Sequence, residues 1–324
     1  MIVINKQIEK YLNKEDGKKI ATRQAYGDKL AELGGKNSDI VVLDCDLSKS
    51  TKTSVFAKKF PERFFNMGIA ESNMMSVAAG LAAMGKIPFV STFSVFATKR
   101  ACDQVSISVA YPRLNVKICA THSGITLGED GATHQAVEDV AIMRSIPNIA
   151  VFSPADATEA GKVIETAAEY DGPCYVRLCR GGSPVIFNDS YRFEIGKGTK
   201  IMDGGDATII SAGFTTHIAL DAARILEDEG IEADVINMAS IKPIDEALII
   251  QSAAKTGLVI TVEDHSVIGG LGGAVCELLS AKNPVKVVRL GVQDRFGASG
   301  DPAELVSEYG FDSDAVAAAV RENI

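Results

Sequence analysis

The segment ESNMMSVAAGLAAMGKIPFVST, residues 71–92, joins two patterns that together decide the fold. Its first part, 71–85, consists mostly of small and helix-favouring residues, so its period and propensity predict a helix. Its last part, 87–92, is a short apolar run that is typical of a buried strand. The same alternation recurs, with further strands predicted at 39–44, 115–121, 148–153 and 174–179 and further helices at 133–146 and 156–170. Alternation at this spacing predicts a mostly parallel sheet with helices on both faces.

A second alternating series follows a polar, glycine-rich break at residues 180–207, which we expect to be a linker with one hairpin. Strands are predicted at 207–213, 232–238, 258–264 and 285–292, and helices near 215–229, 244–256, 270–282, 302–309 and 312–322. We therefore predict an α/β protein with two doubly wound three-layer domains, residues 1–187 and residues 188–324.

Composition and charge exclude several classes of function. The chain has 324 residues and a formal net charge of −9, which argues against nucleic-acid binding through a basic face. Its six cysteines form no C-x-x-C pair and no zinc-type spacing, which is typical of buried thiols in a reducing compartment. The N-terminal segment is charged throughout, and no apolar stretch approaches the ~18 residues of a membrane span. We expect a soluble, cytoplasmic protein.

Polar and aromatic residues follow four predicted strands of the first sheet. The carboxyl ends of parallel strands meet at one edge of a sheet, where open α/β sheets bind their ligands. The residues at this edge are Asp44, Asp46, Ser48 and Ser50 after the first strand, Phe93 and Phe96 after the second, His122 and the loop GEDGATHQ (128–135) after the third, and Arg180 after the last. Together they predict a site for a phosphorylated polyol and an aromatic cofactor.

Each of these residues also has an ordinary structural explanation. Asp44 would cap the turn after its strand, and Phe93 with Phe96 would form one core-facing helical stripe. His134 would lie in the first turn of a helix, because Thr133 before it is typical of an N-cap. Their joint placement, more than any single residue, favours a site.

Glu71 opens the predicted helix of the quoted segment. The residues after it are mostly Ala, Gly, Ser, Val and Met, so this helix is expected to be buried nearly all round. The helix macrodipole stabilises a carboxylate at its N-terminus, and that alone would explain the residue. Beside an apolar cavity the same carboxylate would be desolvated and suited to proton transfer.

Three longer segments resemble a known family. FFNMGIAESNMMSVAAGLAAMGKIPFVSTFSVFATKRACDQV (64–105) and ATHSGITLGEDGATHQAVEDVAIMRSIPNIAVFSPADATEAG (120–161) closely resemble the pyrimidine-binding domain of transketolases, and VEDHSVIGGLGGAV (262–275) resembles their C-terminal domain. The resemblance begins at about Ala21 and covers essentially the rest of the chain. It implies a thiamine-diphosphate enzyme that transfers two-carbon ketol units from a ketose phosphate to an aldose phosphate, in the pentose phosphate pathway or a specialised sugar-catabolic branch.

The resemblance also implies roles for individual residues. Glu71 matches the glutamate that hydrogen-bonds the aminopyrimidine ring of the cofactor, and it is expected to be catalytic together with His122 and His134. The expected cofactor-binding residues are Asp46, Leu47, Ile69, Glu71, Phe93 and Phe96. The expected substrate-binding residues are Arg23, Ser50, His122, Asp130, His134 and Arg180, with the two arginines and Ser50 at the sugar phosphate. The glycines of residues 128–135 are expected to let the backbone approach the ligand.

The sequence departs from the family at several points. Ser123 stands where full-length transketolases usually have aspartate, and Lys99 stands where a third aromatic residue often lies. The G-D-G motif with which the family's N-terminal domain binds the diphosphate and its metal does not occur, so no metal ligands are predicted here. The resemblance therefore implies the C-terminal subunit of a split transketolase. A separate N-terminal subunit would bind the diphosphate with Mg²⁺ or Ca²⁺, in an assembly of two copies of each chain (α2β2).

Two other interpretations stay open. One is a different subunit of the thiamine-diphosphate superfamily, similar to deoxyxylulose-phosphate synthase or to the beta subunit of pyruvate dehydrogenase. The other is a non-catalytic subunit that stabilises its partner, for which loss of Glu71 would leave the complex fully active. The string GEDGATHQ downstream of THSG, together with Arg23 and Arg180, favours a transketolase that acts on phosphosugars.

Overall fold

The computed structural model describes residues 3–4, 8, 11 and 17–324. Its first sheet has seven strands, in the spatial order Ser240–Lys242, Ala150–Phe152, Cys174–Arg177, Lys117–Ala120, Ile87–Ser91, Ile40–Asp44 and Phe64–Asn66. Among these described strands, Ser240–Lys242 alone runs antiparallel to its neighbour. The carboxyl ends of the other six therefore meet at one edge of the sheet.

Helices cover both faces of this sheet. Thr22–Lys36 and Ala157–Glu169 lie on one face, and Glu71–Ala83 and Asp139–Ser145 lie on the other. Val41 and Val42 are neighbours in one strand and belong to these two different cores, because successive strand residues point to opposite faces. Shorter helical segments of this half are Ser48–Thr51, Ser54–Lys59, Pro61–Arg63, Phe96–Arg100, Cys102–Gln104, Val105–Ala110 and Ile125–Leu127.

The second sheet has six strands, in the order Val3–Ile4, Thr199–Asp203, Ala233–Asn237, Ala207–Ser211, Leu258–Ser266 and Lys286–Val292. The last four run parallel, and the first two pair antiparallel. The helices of this half are Thr215–Asp228, Glu246–Thr256, Leu271–Lys282, Pro302–Glu308 and Ser313–Arg321. The predicted α/β fold class with two layered domains is confirmed. None of the helices that the structure describes combines the length and the hydrophobicity that a membrane span requires.

Two short edge strands join the sheet of the other half of the chain. Val3–Ile4 pairs with Thr199–Asp203 in the second sheet, and Ser240–Lys242 pairs with Ala150–Phe152 in the first. The segment 180–207, predicted as a linker with one hairpin, likewise pairs with distant strands. Its Gly182–Pro184 part lies antiparallel to residues 19–21.

The helix predicted at 133–146 was wrong at its beginning. It starts at Asp139, and residues 132–134 form a turn. A backbone bridge joins Gly124 to Ala136, and the buried Gln135 side chain donates hydrogen bonds to loop carbonyls, so this stretch cannot wind into a helix. His134 therefore belongs to a loop held from both sides.

Candidate active site

Four neighbouring strands of the first sheet end at the predicted site. They are Cys174–Arg177, Lys117–Ala120, Ile87–Ser91 and Ile40–Asp44, and they lie side by side in that order and run parallel. The segments that follow them carry Arg180, His122, Phe93 and Ser50, respectively. Hydrogen bonds and ring contacts join these segments, so the topology brings most of the predicted residues together.

Arg23 is the centre of a polar cluster. Its Nε donates to the carbonyl oxygen of Arg180 at 3.1 Å, and its Nη1 donates to the carbonyl oxygen of Ser50 at 2.8 Å. Nη1 also lies 3.4 Å from Nε2 of His122. Burial, and the neighbouring charge of Arg180, lower the pKa of Arg23. Two arginines whose charges act on one another in this way favour an anionic ligand.

His122 joins this cluster to an aromatic one. The side chain is buried, and its ring stacks on Phe93 with ring centres 3.8 Å apart and planes 23° apart. Burial, followed by the charges of Arg23, Arg180 and His134, lowers the pKa of His122 to about 3, so the imidazole is neutral at neutral pH. Because a guanidinium can only donate, Nε2 accepts from Arg23. Nδ1 then carries the proton and donates to Thr121 Oγ1 at 2.7 Å.

The aromatic cluster contains Phe93, Phe96 and His134. The two phenylalanine rings are 5.9 Å apart and inclined by 12°. The His134 ring meets the edge of Phe96 at 5.5 Å, and its Nδ1 lies 2.9 Å from Thr133 Oγ1. Leu47 packs against the same small apolar cluster. These rings form an apolar surface that a flat heterocycle would fit.

Glu71 is the first residue of its helix and is buried. Both of its carboxylate oxygens accept hydrogen bonds at 3.0 Å from Nη1 of Arg100, and the Arg100 guanidinium lies 4.5 Å from the centre of the Phe96 ring. Arg100 thus connects Glu71 to the aromatic cluster. Arg100 was not among the predicted site residues; its spacing of four residues from Phe96, which places the two side chains on one face of a helical segment, was the available signal.

Asp46 and Ile69 are two further residues that were expected at the cofactor, and both are exposed. Asp46 is exposed and has φ of 63°, and its backbone amide donates to Oδ1 of Asn66 at 3.1 Å. Ile69 is 78% exposed, which is unusual for a large apolar side chain and leaves it available to a ligand or a partner. Asp44, in contrast, is buried and accepts from Thr51, Thr53 and the Leu47 amide. Asp44 therefore caps the turn after its strand, which was the structural alternative that the sequence offered.

The loop 128–135 lies against the second half of the chain. Gly128 and Gly131 have φ of 86° and 73°, in the region that favours glycine. A Cβ on Gly131 would lie 2.4 Å from Ser299 Oγ, and one on Gly128 would lie 3.2 Å from Pro302 Cγ. These glycines therefore let the loop approach residues 299–302. The sequence had led us to expect that they would let the backbone approach the ligand. Asp130 on this loop is exposed and lies 3.8 Å from Nη1 of Arg180.

Acidic, histidine and cysteine side chains do not gather into a metal centre in the region that the structure covers, where no group of three or more could hold a metal ion. The six cysteines are unpaired thiols, and four of them are buried. The described site is thus rich in arginine, imidazole and aromatic rings and has one buried carboxylate, Glu71. This chemistry suits an anionic sugar and a flat heterocycle better than a metal.

Comparison with known proteins places both halves of the chain. Residues 18–184 match the model of the transketolase pyrimidine-binding domain, and residues 196–316 match the model of the transketolase C-terminal domain. A protein of Methanocaldococcus jannaschii described as a transketolase C-terminal section is 52% identical over 93% of this chain and 96% of its own length. Human transketolase is 42% identical over 94% of this chain, but the match spans only 49% of the human protein.

One solved structure is similar along nearly its whole length. It is a split-gene transketolase in the form of an inactive beta4 tetramer, with 56% sequence identity and a TM-score of 0.88. The match covers 94% of this chain and 98% of that chain.

Proposed function

Because this chain belongs to the transketolase family, we propose that it is the C-terminal subunit of a two-chain, thiamine-diphosphate-dependent transketolase. It would supply half of an active site that transfers two-carbon ketol units between sugar phosphates. The similar proteins favour this function over a deoxyxylulose-phosphate synthase or pyruvate dehydrogenase subunit.

One observation carries the proposal: the His122 ring contacts Arg23 on one side and stacks on Phe93 on the other. A site for a sugar phosphate and a site for an aromatic cofactor therefore share one residue. Arg23 and Arg180 would bind the phosphate, with Ser50 beside them. Neutral His122, Asp130 and His134 would bind hydroxyl groups, and the two histidines would move protons at the reacting carbons.

The residues at the other end fit the aminopyrimidine part of thiamine diphosphate. Phe93 and Phe96 offer an apolar surface against which Leu47 packs, and the exposed side chains of Asp46 and Ile69 would also contact the cofactor. Glu71 would accept a hydrogen bond from the ring, and half-exposed Arg100, which now pairs with it, would withdraw. When bound, the cofactor supplies the electron sink for breaking the bond next to a ketose carbonyl.

The proposal requires a partner for the diphosphate. The sequence holds no G-D-G motif, and the described residues offer no metal cluster. An N-terminal subunit would bind the diphosphate and Mg²⁺ or Ca²⁺, in an α2β2 assembly. The similar split-gene transketolase, whose beta4 tetramer is inactive, supports the need for such a partner.

We further propose that residues 1–187 and 188–324 act as the pyrimidine-binding and C-terminal domains, and that the protein is cytoplasmic. The two family matches, which end at 184 and begin at 196, support the boundary. The unpaired thiols suit a reducing compartment.

Reconstitution tests the function. The chain is mixed with an N-terminal subunit, thiamine diphosphate and Mg²⁺, and ketol transfer is measured from a pentulose phosphate to an aldopentose phosphate. The complex should turn over, and neither chain alone should. Glu71→Gln should lower kcat by about 100- to 10,000-fold, because proton transfer is lost, while cofactor binding measured by calorimetry persists.

Glu138→Gln is the matched control. It removes a carboxylate that pairs with Lys99 at 2.8 Å, and Lys99 is the residue before Arg100, which pairs with Glu71. The substitution should leave kcat within about twofold, because exposed ion pairs contribute little. Turnover by this chain alone, or a fully active Glu71→Gln complex, would refute the proposal.

A further inference from the structure

The turn that begins the site loop is fixed by a carboxylate from the other half of the chain. Asp264 lies in the strand Leu258–Ser266 of the second sheet and is buried. Its Oδ1 accepts from the amide of Ile125 at 2.8 Å. Its Oδ2 accepts from the Thr126 hydroxyl at 2.6 Å and from the Thr126 amide at 3.4 Å. Three donors of the site loop thus converge on one side chain.

Gly124 shows how close this approach is. It has φ of 71°, and a Cβ at this position would lie 2.0 Å from Oδ2 of Asp264. Only glycine therefore lets the carboxylate reach the amides beyond it. Arg177 holds the other side of the contact, because its Nη2 donates to the Asp264 carbonyl oxygen at 2.7 Å and to the Ala136 carbonyl oxygen at 3.3 Å.

The fixed turn, Ile125–Leu127, is connected to the substrate residues in both directions. His122 lies three residues before Ile125. The Leu127 carbonyl oxygen accepts from Nη1 of Arg180 at 2.8 Å. The return of the loop is held by the Gly124–Ala136 bridge, two residues after His134. A shift of the turn would therefore move the histidines and Arg180 together.

We infer that Asp264 is a positioning residue, through which the second domain sets the geometry of the substrate loop 122–135. The inference rests on the proposed function for the meaning of that loop. Asp264 contacts the loop and lies outside the elements that would hold the cofactor ring, namely the helix that Glu71 begins and residues 93–100. Its loss should therefore impair sugar binding and spare cofactor binding.

The test compares Asp264→Asn with Glu263→Gln in the reconstituted two-chain enzyme. Glu263, the neighbouring residue, is also buried, but it accepts from the amides of Leu271 and Gly272 within its own domain. Asparagine keeps the size of Asp264 and leaves one acceptor oxygen for three donors. Asp264→Asn should raise KM for the phosphorylated sugars about tenfold or more and leave thiamine diphosphate affinity within about twofold, whereas Glu263→Gln should change neither.

A conservative pair of substitutions adds a second readout. Thr126→Ser keeps the hydroxyl that donates to Asp264 and should retain the normal KM, while Thr126→Val should shift KM in the direction of Asp264→Asn. Hydrogen exchange on this chain alone gives a third readout. Asp264→Asn should speed exchange of the amides of residues 124–136, and Glu263→Gln should speed exchange only near residues 271–274.

The outcomes separate the two proposals. If the normal complex shows no ketol transfer, the proposed function is wrong, and hydrogen exchange alone still decides whether Asp264 holds the loop. If the complex is active but Asp264→Asn resembles Glu263→Gln in KM, the positioning role is wrong. An equal loss of cofactor affinity and sugar affinity would also overturn it, because that result indicates general destabilisation.

Discussion

A buried carboxyl group between the two halves of the chain makes stability depend on pH. Glu159 is fully buried in the helix Ala157–Glu169. Its Oε2 accepts from the Ala155 amide at 2.6 Å, and its Oε1 contacts the Tyr191 hydroxyl and accepts from Nδ2 of Asn237 at 2.7 Å. Burial, with a smaller contribution from Asp156, raises the pKa of Glu159 from 4.5 to about 8.

The sign and size of the effect follow from proton linkage. A neutral Glu159 contributes stability that is fully present below pH 4.5 and is lost as the pH rises through about 8. A change from 4.5 to about 8 corresponds to about 5 kcal/mol in total. Between pH 5.5 and pH 8.5 the native protein should therefore lose about 3 kcal/mol of unfolding free energy through this one group.

Glu159→Gln removes this dependence, because an amide does not ionise. The side-chain NH2 group of the glutamine must face either the Ala155 backbone N–H or the Asn237 side-chain NH2, and both of these are donors. The variant therefore also loses about 1–3 kcal/mol of unfolding free energy at every pH. Urea unfolding followed by circular dichroism is the assay, since the chain has no tryptophan. The difference in unfolding free energy between native protein and variant should fall by about 3 kcal/mol from pH 5.5 to pH 8.5.

Glu165→Gln is the control on the same helix. Glu165 is partly exposed and lies 3.9 Å from Lys162, so its replacement should change the unfolding free energy by less than about 1 kcal/mol. A difference between native protein and Glu159→Gln that stays constant across this pH range would refute the linkage argument.

Two further predictions concern the site and its support. Arg180→Ala should raise KM for phosphorylated sugars about tenfold or more and leave kcat nearly unchanged, since a charged hydrogen bond to phosphate is lost. Steady-state kinetics measures both constants, and a non-phosphorylated acceptor is the control. An equal effect on both acceptors would contradict a phosphate role. Asp139→Ala should destabilise the chain by about 3–5 kcal/mol, because buried Arg177 loses its partner at 2.8 Å. Urea unfolding measures this loss, and a cost below about 1 kcal/mol would show that Arg177 finds another acceptor.

Sequence patterns were sufficient for the layers of the fold. The β-branched runs and helical periods predicted the central parallel strands of both sheets, because most of these strands are buried on both faces. Phe64–Asn66 and Thr199–Asp203 were not predicted. The short strands Val3–Ile4 and Ser240–Lys242 could not be found in this way, since two or three residues have no period. Thr133 was misleading for a different reason: a local capping signal was overridden by the long-range bridge between Gly124 and Ala136.

The candidate site was predictable to the extent that it follows from topology. Ser50, His122 and Arg180 meet because the segments that follow parallel strands of one sheet lie at the same edge, whereas Arg23, at the start of the helix Thr22–Lys36, came only from the family resemblance. Their catalytic and binding roles stay predictions. Asp264 had no local signal, because its contact with Ile125 spans 139 residues and depends on how the two halves pack.

The two edge strands that pair with the sheet of the other half of the chain, Val3–Ile4 and Ser240–Lys242, restrict where this protein can be recombined with a relative. A crossover near residue 187 would separate Ser240–Lys242 from the sheet it completes, and Val3–Ile4 from Thr199–Asp203. Each chimera would inherit a foreign edge on both sheets, with backbone amides and carbonyls that must find new partners. A recombinant that exchanges the second half of the chain should therefore also exchange Val3–Ile4 and should keep the original Ser240–Lys242, so that each short strand stays with the sheet it borders.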